Sequence, residues 1–164
     1  MNISDMSEYK SEVKTIYAPQ ERVYERLADL INLSIIKQNL DNPELRDRLL
    51  SQAGDKVSPS QVDMIIEQLR NLRFDPDSVS GSTMLGEITL RIIEREPFKT
   101  IKFQLEGAPI QANMWIQLLS NSDTQCAMRL TLHADLNFFI RQMVGSKLQQ
   151  GVDGLATMLA SLPY

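Results

Sequence analysis

"ADLNFFIRQMVGSKLQQGVDGLATMLASLPY", Ala134 to Tyr164, decides the fold, because it reads as one long helix carrying a single apolar stripe. Ile140, Val144, Leu148, Val152, Leu155, Leu159 and Leu162 recur every three or four residues, which predicts one buried side on a helix from about Asn137 to Leu162. Arg141, Ser146, Lys147, Gln149, Gln150, Asp153 and Thr157 largely take the other sides. Gly151 interrupts the stripe. At ~100° per residue it points within the arc of Val144, Leu148 and Leu155. An interior glycine costs a helix roughly 1 kcal/mol against alanine, and Gly145 and Gly154 repeat that cost. Two explanations fit: the bare position lets helix and sheet touch closely, or it leaves room for a ligand between them.

A sheet to receive this helix lies upstream. "MLGEITLRIIERE" places Met84, Ile88, Leu90 and Ile92 on one side, and after the turn "REPF" the next strand aligns Ile101, Phe103 and Leu105. Ile110, Ala112, Met114, Ile116 and Leu118 align in "IQANMWIQLL", as do Cys126, Met128, Leu130, Leu132 and Ala134 after the polar turn "SNSD". Short turns between successive strands predict an antiparallel meander, with the even-numbered residues of 84–92 and 110–118 facing the last helix. Near the start, "YKSEVKTIY" (Tyr9–Tyr17) reads as one more strand with Tyr9, Ser11, Val13 and Thr15 on one face. The helix "APQERVYERLADLINL" follows it, with Val23, Leu27, Leu30 and Ile31 on its apolar side. Between residues 34 and 72, "NPELRDRLL" suggests a short helix, and "SPSQVDMIIEQLRNL" opens on Ser58 and Gln61 in a capping-box pattern.

Length and charge narrow the classes. At 164 residues one domain spanning 1–164 can bury a continuous core. The net charge of −4 comes with acids and bases interspersed, and no cationic stripe is visible. That argues against nucleic acid or an anionic membrane as the main partner, and no apolar run approaches the ~20 residues of a membrane span. Cys126 is the one cysteine, so an internal disulfide is excluded. The start shows none of the basic-then-apolar pattern of a signal peptide, and a cytoplasmic protein is expected.

Strand, helix pair, antiparallel meander and long last helix occur here in the order of the helix-grip fold. Together "SEVKTIYAPQERVYERLADLINL", "GEITLRIIEREPFKTIKFQLEG", "MWIQLL" and the last helix resemble the START-like, or SRPBCC, superfamily, over roughly residues 8–33 and 73–164. Small members found in Bacteroidetes and labelled polyketide cyclase-like are the most similar of these. The resemblance implies an α+β helix-grip fold: a curved antiparallel sheet around the C-terminal helix, with an apolar cavity between. The segment 34–72 adds helices between the first helix pair and the second strand, and is longer than in those relatives.

Chemistry is sparse. His133, the one histidine, has outward parity, and Cys126 has inward parity with no basic neighbour in sequence. Asp75 and Asp77 flank Pro76 as turn residues, and no metal-ligand cluster or phosphate loop is present. No catalytic residue, metal or cofactor is therefore assigned. Binding of a small hydrophobic ligand (a lipid, polyketide or other apolar metabolite) is expected. Val13, Leu27, Ile88, Leu90, Ile101, Phe103, Met114, Ile116, Met128, Leu130, Ile140, Val144, Leu148 and Leu155 are the expected lining, with Gly151 making room. Tyr9, Ser11 and Thr15 could present hydroxyls to a ligand or satisfy backbone groups. The alternatives are a cyclase or aromatase acting on a polyketide-type substrate, or an interaction module. Leu85, Ile93, Trp115 and Leu119 share the outer parity, and an apolar patch near Trp115 would serve a second copy or a protein partner.

Overall fold

A computed structural model describes residues 6–38, 40–53, 58–83 and 86–164. Two short strands, β1 (Met6–Lys10) and β2 (Lys14–Ile16), lead into helix α1 (Gln20–Leu27). A 3-10 turn over Leu30–Ser34 joins α1 to α2 (Ile35–Gln38), α3 (Pro43–Ala53) and α4 (Pro59–Arg70). Strands β3 (Arg73–Asp75), β4 (Ser78–Thr83), β5 (Gly86–Glu96), β6 (Thr100–Glu106), β7 (Ala112–Ser122) and β8 (Gln125–Asp135) precede α5 (Phe138–Ala160). All eight strands form one antiparallel sheet in the order β1-β8-β7-β6-β5-β4-β3, with β2 also paired to β8.

The alternation expected from the sequence sets the inner face of the meander. Ala112, Met114, Ile116 and Leu118 of β7 are buried, as are Cys126, Met128, Leu130 and Ala134 of β8 and Ile101 and Phe103 of β6. On β5, Ile92 is buried and pairs with Phe103, while Leu90 pairs with Leu105. Val23, Tyr24 and Leu27 from α1, Leu30 after it, and Val152, Ala156 and Leu159 from α5 close the main core. Met84 and Leu85 lie outside the described residues.

The first strand departs from strict alternation. Tyr9 pairs with Leu132, but after the break Lys14 pairs with Met128 and Ile16 with Cys126. One residue is therefore extra on the β1–β2 side, and the odd-numbered inward face becomes even-numbered after it. Ser11 makes the bulge: its backbone N–H donates to the Leu130 carbonyl, and its Oγ accepts from the Leu130 N–H, both at 2.9 Å. Val13 and Thr15 consequently face outward, and Val13 is 63% exposed.

Between α1 and β3 the chain builds a second small core. Ile36, Leu40, Val62 and Ile66 are buried there, packed against Leu33, Leu50 and Leu69 and against Met158 and Leu162 near the end of α5. The capping box forms as its sequence predicts: the Gln61 N–H donates to Ser58 Oγ, and the Ser58 N–H donates to Gln61 Oε1. These added helices buttress the C-terminal end of α5.

Candidate ligand groove

Asn137 starts α5 by accepting the Ile140 N–H at 2.9 Å, which satisfies one of the helix's orphan donors. The helix then crosses β1, β2 and β8 rather than the middle of the sheet. It comes close to β1 at Gly145, where a Cβ would stand 3.3 Å from Tyr9 Oη. On the same flank Gln149 Nε2 donates to the Lys10 carbonyl at 2.8 Å, and Asp153 Oδ1 accepts the Glu12 N–H at 3.2 Å. Helix side chains thus satisfy backbone groups along the β1–β2 edge.

The opposite flank is looser. Ile140, Val144 and Leu148 are partly buried against Leu105, Ile110, Ala112, Ala134 and Leu136. Further along, Leu155 joins the main core, and Met158 and Leu162 join the α2–α4 core. Gly151 lies between these two contacts. It is exposed, and a Cβ built on it would meet nothing within 4 Å. Of the two explanations for a glycine on this face, close packing applies at Gly145 and open space applies at Gly151. On the sheet, inward-facing Ile88, Leu90 and Leu105 of β5 and β6 are also only partly buried. These partly exposed apolar residues of the α5 flank and of β5–β6 are the candidate lining of a ligand groove.

The residues expected to line a cavity divide accordingly. Leu27, Ile101, Phe103, Met114, Ile116, Met128 and Leu130 are 0–7% exposed and packed in the main core. Ile88, Leu90, Ile140, Val144, Leu148 and Leu155 are partly exposed. Val13 is turned away from the inner face by the bulge and is exposed. Leu105 and Ile110 also flank the groove; Leu105 shares the parity of Ile101 and Phe103, so its place was visible in the alternation.

Polar groups add little chemistry to the groove. Ser11 Oγ is taken up by the backbone of β8, and Thr15 is outward and exposed. Lys14, inward after the bulge, lies instead in a polar cleft of about 340 Å³ on the other flank of α5, with Thr15, Thr157, Ala160 and Ser161. Cys126 is fully buried in the core, and burial pushes its thiol upward, away from the thiolate that a nucleophile needs. His133 faces outward, as its parity predicts. Its Nε2 lies 2.6 Å from Glu8 Oε2, and its ring meets Trp115 edge-on at 4.8 Å. Lys102 Nζ covers the other side of that indole at 5.2 Å from its centroid, so Trp115 is only partly exposed. Gln117 Oε1 accepts from Thr131 and Arg129 beside it. A polar ladder thus surrounds the tryptophan, and the exposed outer apolar residues Ile93 and Leu119 sit at the bulged and terminal ends of their strands. Among the described residues no group of three or more His, Cys, Asp or Glu could hold a metal, and no helix is long and apolar enough to cross a membrane.

Solved structures share this fold. Norcoclaurine synthase from Thalictrum flavum, in complex with dopamine and hydroxybenzaldehyde, superposes with a TM-score of 0.59 at 10% identity, over 98% of this chain and 90% of that one. A Thermobifida fusca protein gives 0.52 at 15% identity, over 93% and 90% of the two chains. A conserved protein of Geobacillus kaustophilus gives 0.51 at 14% identity, over 93% of each. The fold is the helix grip. At these identities the likeness extends to the backbone plan, and helix-grip chains serve more than one purpose. No protein-family profile matches the chain, and no curated protein matches it in sequence.

Proposed function

We propose that this helix-grip protein binds a small hydrophobic molecule, such as a lipid, polyketide or other apolar metabolite, in the groove beside Gly151. The observation that carries the reading is the open space at Gly151, set in a flank whose other residues are apolar and partly exposed. A continuous stripe would bury more surface and gain helix propensity by filling that position with a larger residue. Binding would draw on roughly 25 cal/mol per Å² of apolar surface removed from water. The lining is the partly exposed set Ile88, Leu90, Leu105, Val144, Leu148 and Leu155; the seven core residues behind it hold the walls in place. The unpaired, buried Cys126 fits a reducing, cytoplasmic setting.

Native mass spectrometry of the protein purified from its own host tests this reading. The expected result is a co-purifying small molecule that is released by organic solvent and displaced from wild type by an apolar dye. Protein that carries nothing, and neither binds such a dye nor is stabilised by any apolar compound, would remove the groove as a binding site.

A further inference from the structure

Helices α2 to α4 carry a hydrophobic core of their own, built on Ile36, Leu40, Val62 and Ile66. Among the described residues, two partly buried side chains belong to both this core and the main one, Leu33 and Leu162. Their places differ. Leu33 lies in the 3-10 turn by which the chain enters the segment, and Leu162 follows the end of α5. Ion pairs join the helices of the segment to one another: Arg46 Nε lies 2.9 Å from Asp63 Oδ1, and Arg70 Nη2 lies 2.9 Å from Asp41 Oδ1.

Entry and exit of the segment are fastened together on the sheet side. The Leu30 N–H donates to the Pro76 carbonyl at 3.0 Å, which ties the turn to the β3–β4 connection. Lys37 Nζ donates to the Leu72 carbonyl at 2.7 Å. Leu72 itself rests on β4 at Gly81, where an added Cβ would stand 2.9 Å from its Cδ2. Gly81 pairs with Ile88, one of the candidate lining residues. On its other side the segment meets α5 through Met158 and Leu162. Met158 follows Gly151 by seven residues, so at ~100° per residue the two share one side of the helix. Leu155, another candidate lining residue, lies between them.

We propose that α2–α4 is a lid on the candidate ligand site. It keeps its base on the sheet, releases Met158 and Leu162, and so uncovers the α5 flank next to Leu155 and Gly151. Release exposes the partly buried side chains of the catch, whereas unfolding the segment would expose its core as well. A unit joined to its surroundings by few apolar contacts opens at a free energy below that of the whole fold. The gating role rests on reading this flank as a ligand site; the opening of the segment as a unit does not.

Hydrogen exchange, read beside stopped-flow uptake of an environment-sensitive apolar dye, tests the two parts separately. Amides of α3 and α4 are expected to exchange as one group, faster than those of β7 and β8. Met158→Ser should speed that exchange severalfold and leave β7 and β8 unchanged, while Met158→Leu, which keeps an apolar catch of similar volume, should behave as wild type. Dye association with wild type should level off at the rate of opening as dye concentration rises, and Met158→Ser should raise the plateau. Exchange of α3 and α4 in step with β7 and β8 at every denaturant concentration would overturn the lid, because the segment would then open only with the whole fold. Dye that enters wild type and Met158→Ser at one rate, proportional to its concentration, would overturn the gate while leaving the ligand site standing. Protein that takes up no dye in either form would remove the ligand site and the gate together.

Discussion

Three glycines of the last helix carry the same propensity cost, but their surroundings differ. At Gly145 an added Cβ would press on Tyr9 Oη at 3.3 Å, whereas Gly151 faces open space. Gly145→Leu should therefore overpack the contact with β1 and cost about 1–3 kcal/mol. Gly151→Leu should hold or raise stability, by up to about 1 kcal/mol from helix propensity, while reducing uptake of an environment-sensitive apolar dye. Thermal unfolding of the two variants, read beside dye binding, checks both. Loss of stability in Gly151→Leu would mean that the flank closes on itself in solution. Another glycine, outside that helix, acts through backbone geometry: Gly107 has φ of 89°, and a Cβ there would collide with the Glu87 carbonyl oxygen. Gly107→Ala should lower stability by roughly 1–3 kcal/mol, because strain and collision act together.

At the scale of elements, the meander and last helix were legible because their side chains obey simple periods. Met114, Ile116, Met128 and Leu130 alternate without interruption, and burial follows. Strict alternation misplaces Val13 in the first strand because a bulge is invisible to it: the serine that makes it is an ordinary strand residue until its Oγ takes the place of a backbone acceptor. The groove was only half legible for a related reason. Parity tells which face a side chain takes, but not whether α5 lies over the centre of the sheet or towards β1, and that offset separates packed Ile116 from partly exposed Leu90. Ser11 offers the test at this scale. Ser11→Ala removes the acceptor for a buried Leu130 N–H. It should cost about 1–3 kcal/mol and loosen amide protection in β1 and β2 before the rest of the sheet, as hydrogen exchange would read. Uniform protection in the variant would show that the bulge survives on its backbone bonds.

For the whole molecule, acid and the single thiol report on stability. Hydrogen bonds from His133 and Lys10 hold the Glu8 carboxyl below its ordinary range; Arg70 does the same for Asp41, and Arg46 for Asp63. Each group binds its proton more weakly in the folded than in the unfolded chain. Their contributions are therefore present above the usual carboxylate pKa, about 4, and are lost as pH falls through the lower folded values. All three are exposed, so the unfolding temperature should stay level above pH ~5 and decline gently below it, less so in Asp41→Asn with Asp63→Asn. Cys126 supplies a sharper probe. Its thiol is fully buried between β7 and β2 and pushed upward by burial, so a thiol reagent must wait for the core to open. Labelling should be slow in the native protein and should accelerate with denaturant along the global unfolding curve. A ligand that binds only the folded protein raises stability by RT ln(1 + [L]/Kd), and when opening and reclosing are fast it should slow labelling by the factor 1 + [L]/Kd. The Gly151→Leu variant, with its groove narrowed, should show the slow baseline rate but lose most of that protection. Fast labelling of the unliganded native protein would show instead that the β2–β8 edge opens locally, and the thiol would then report on that edge rather than on the fold.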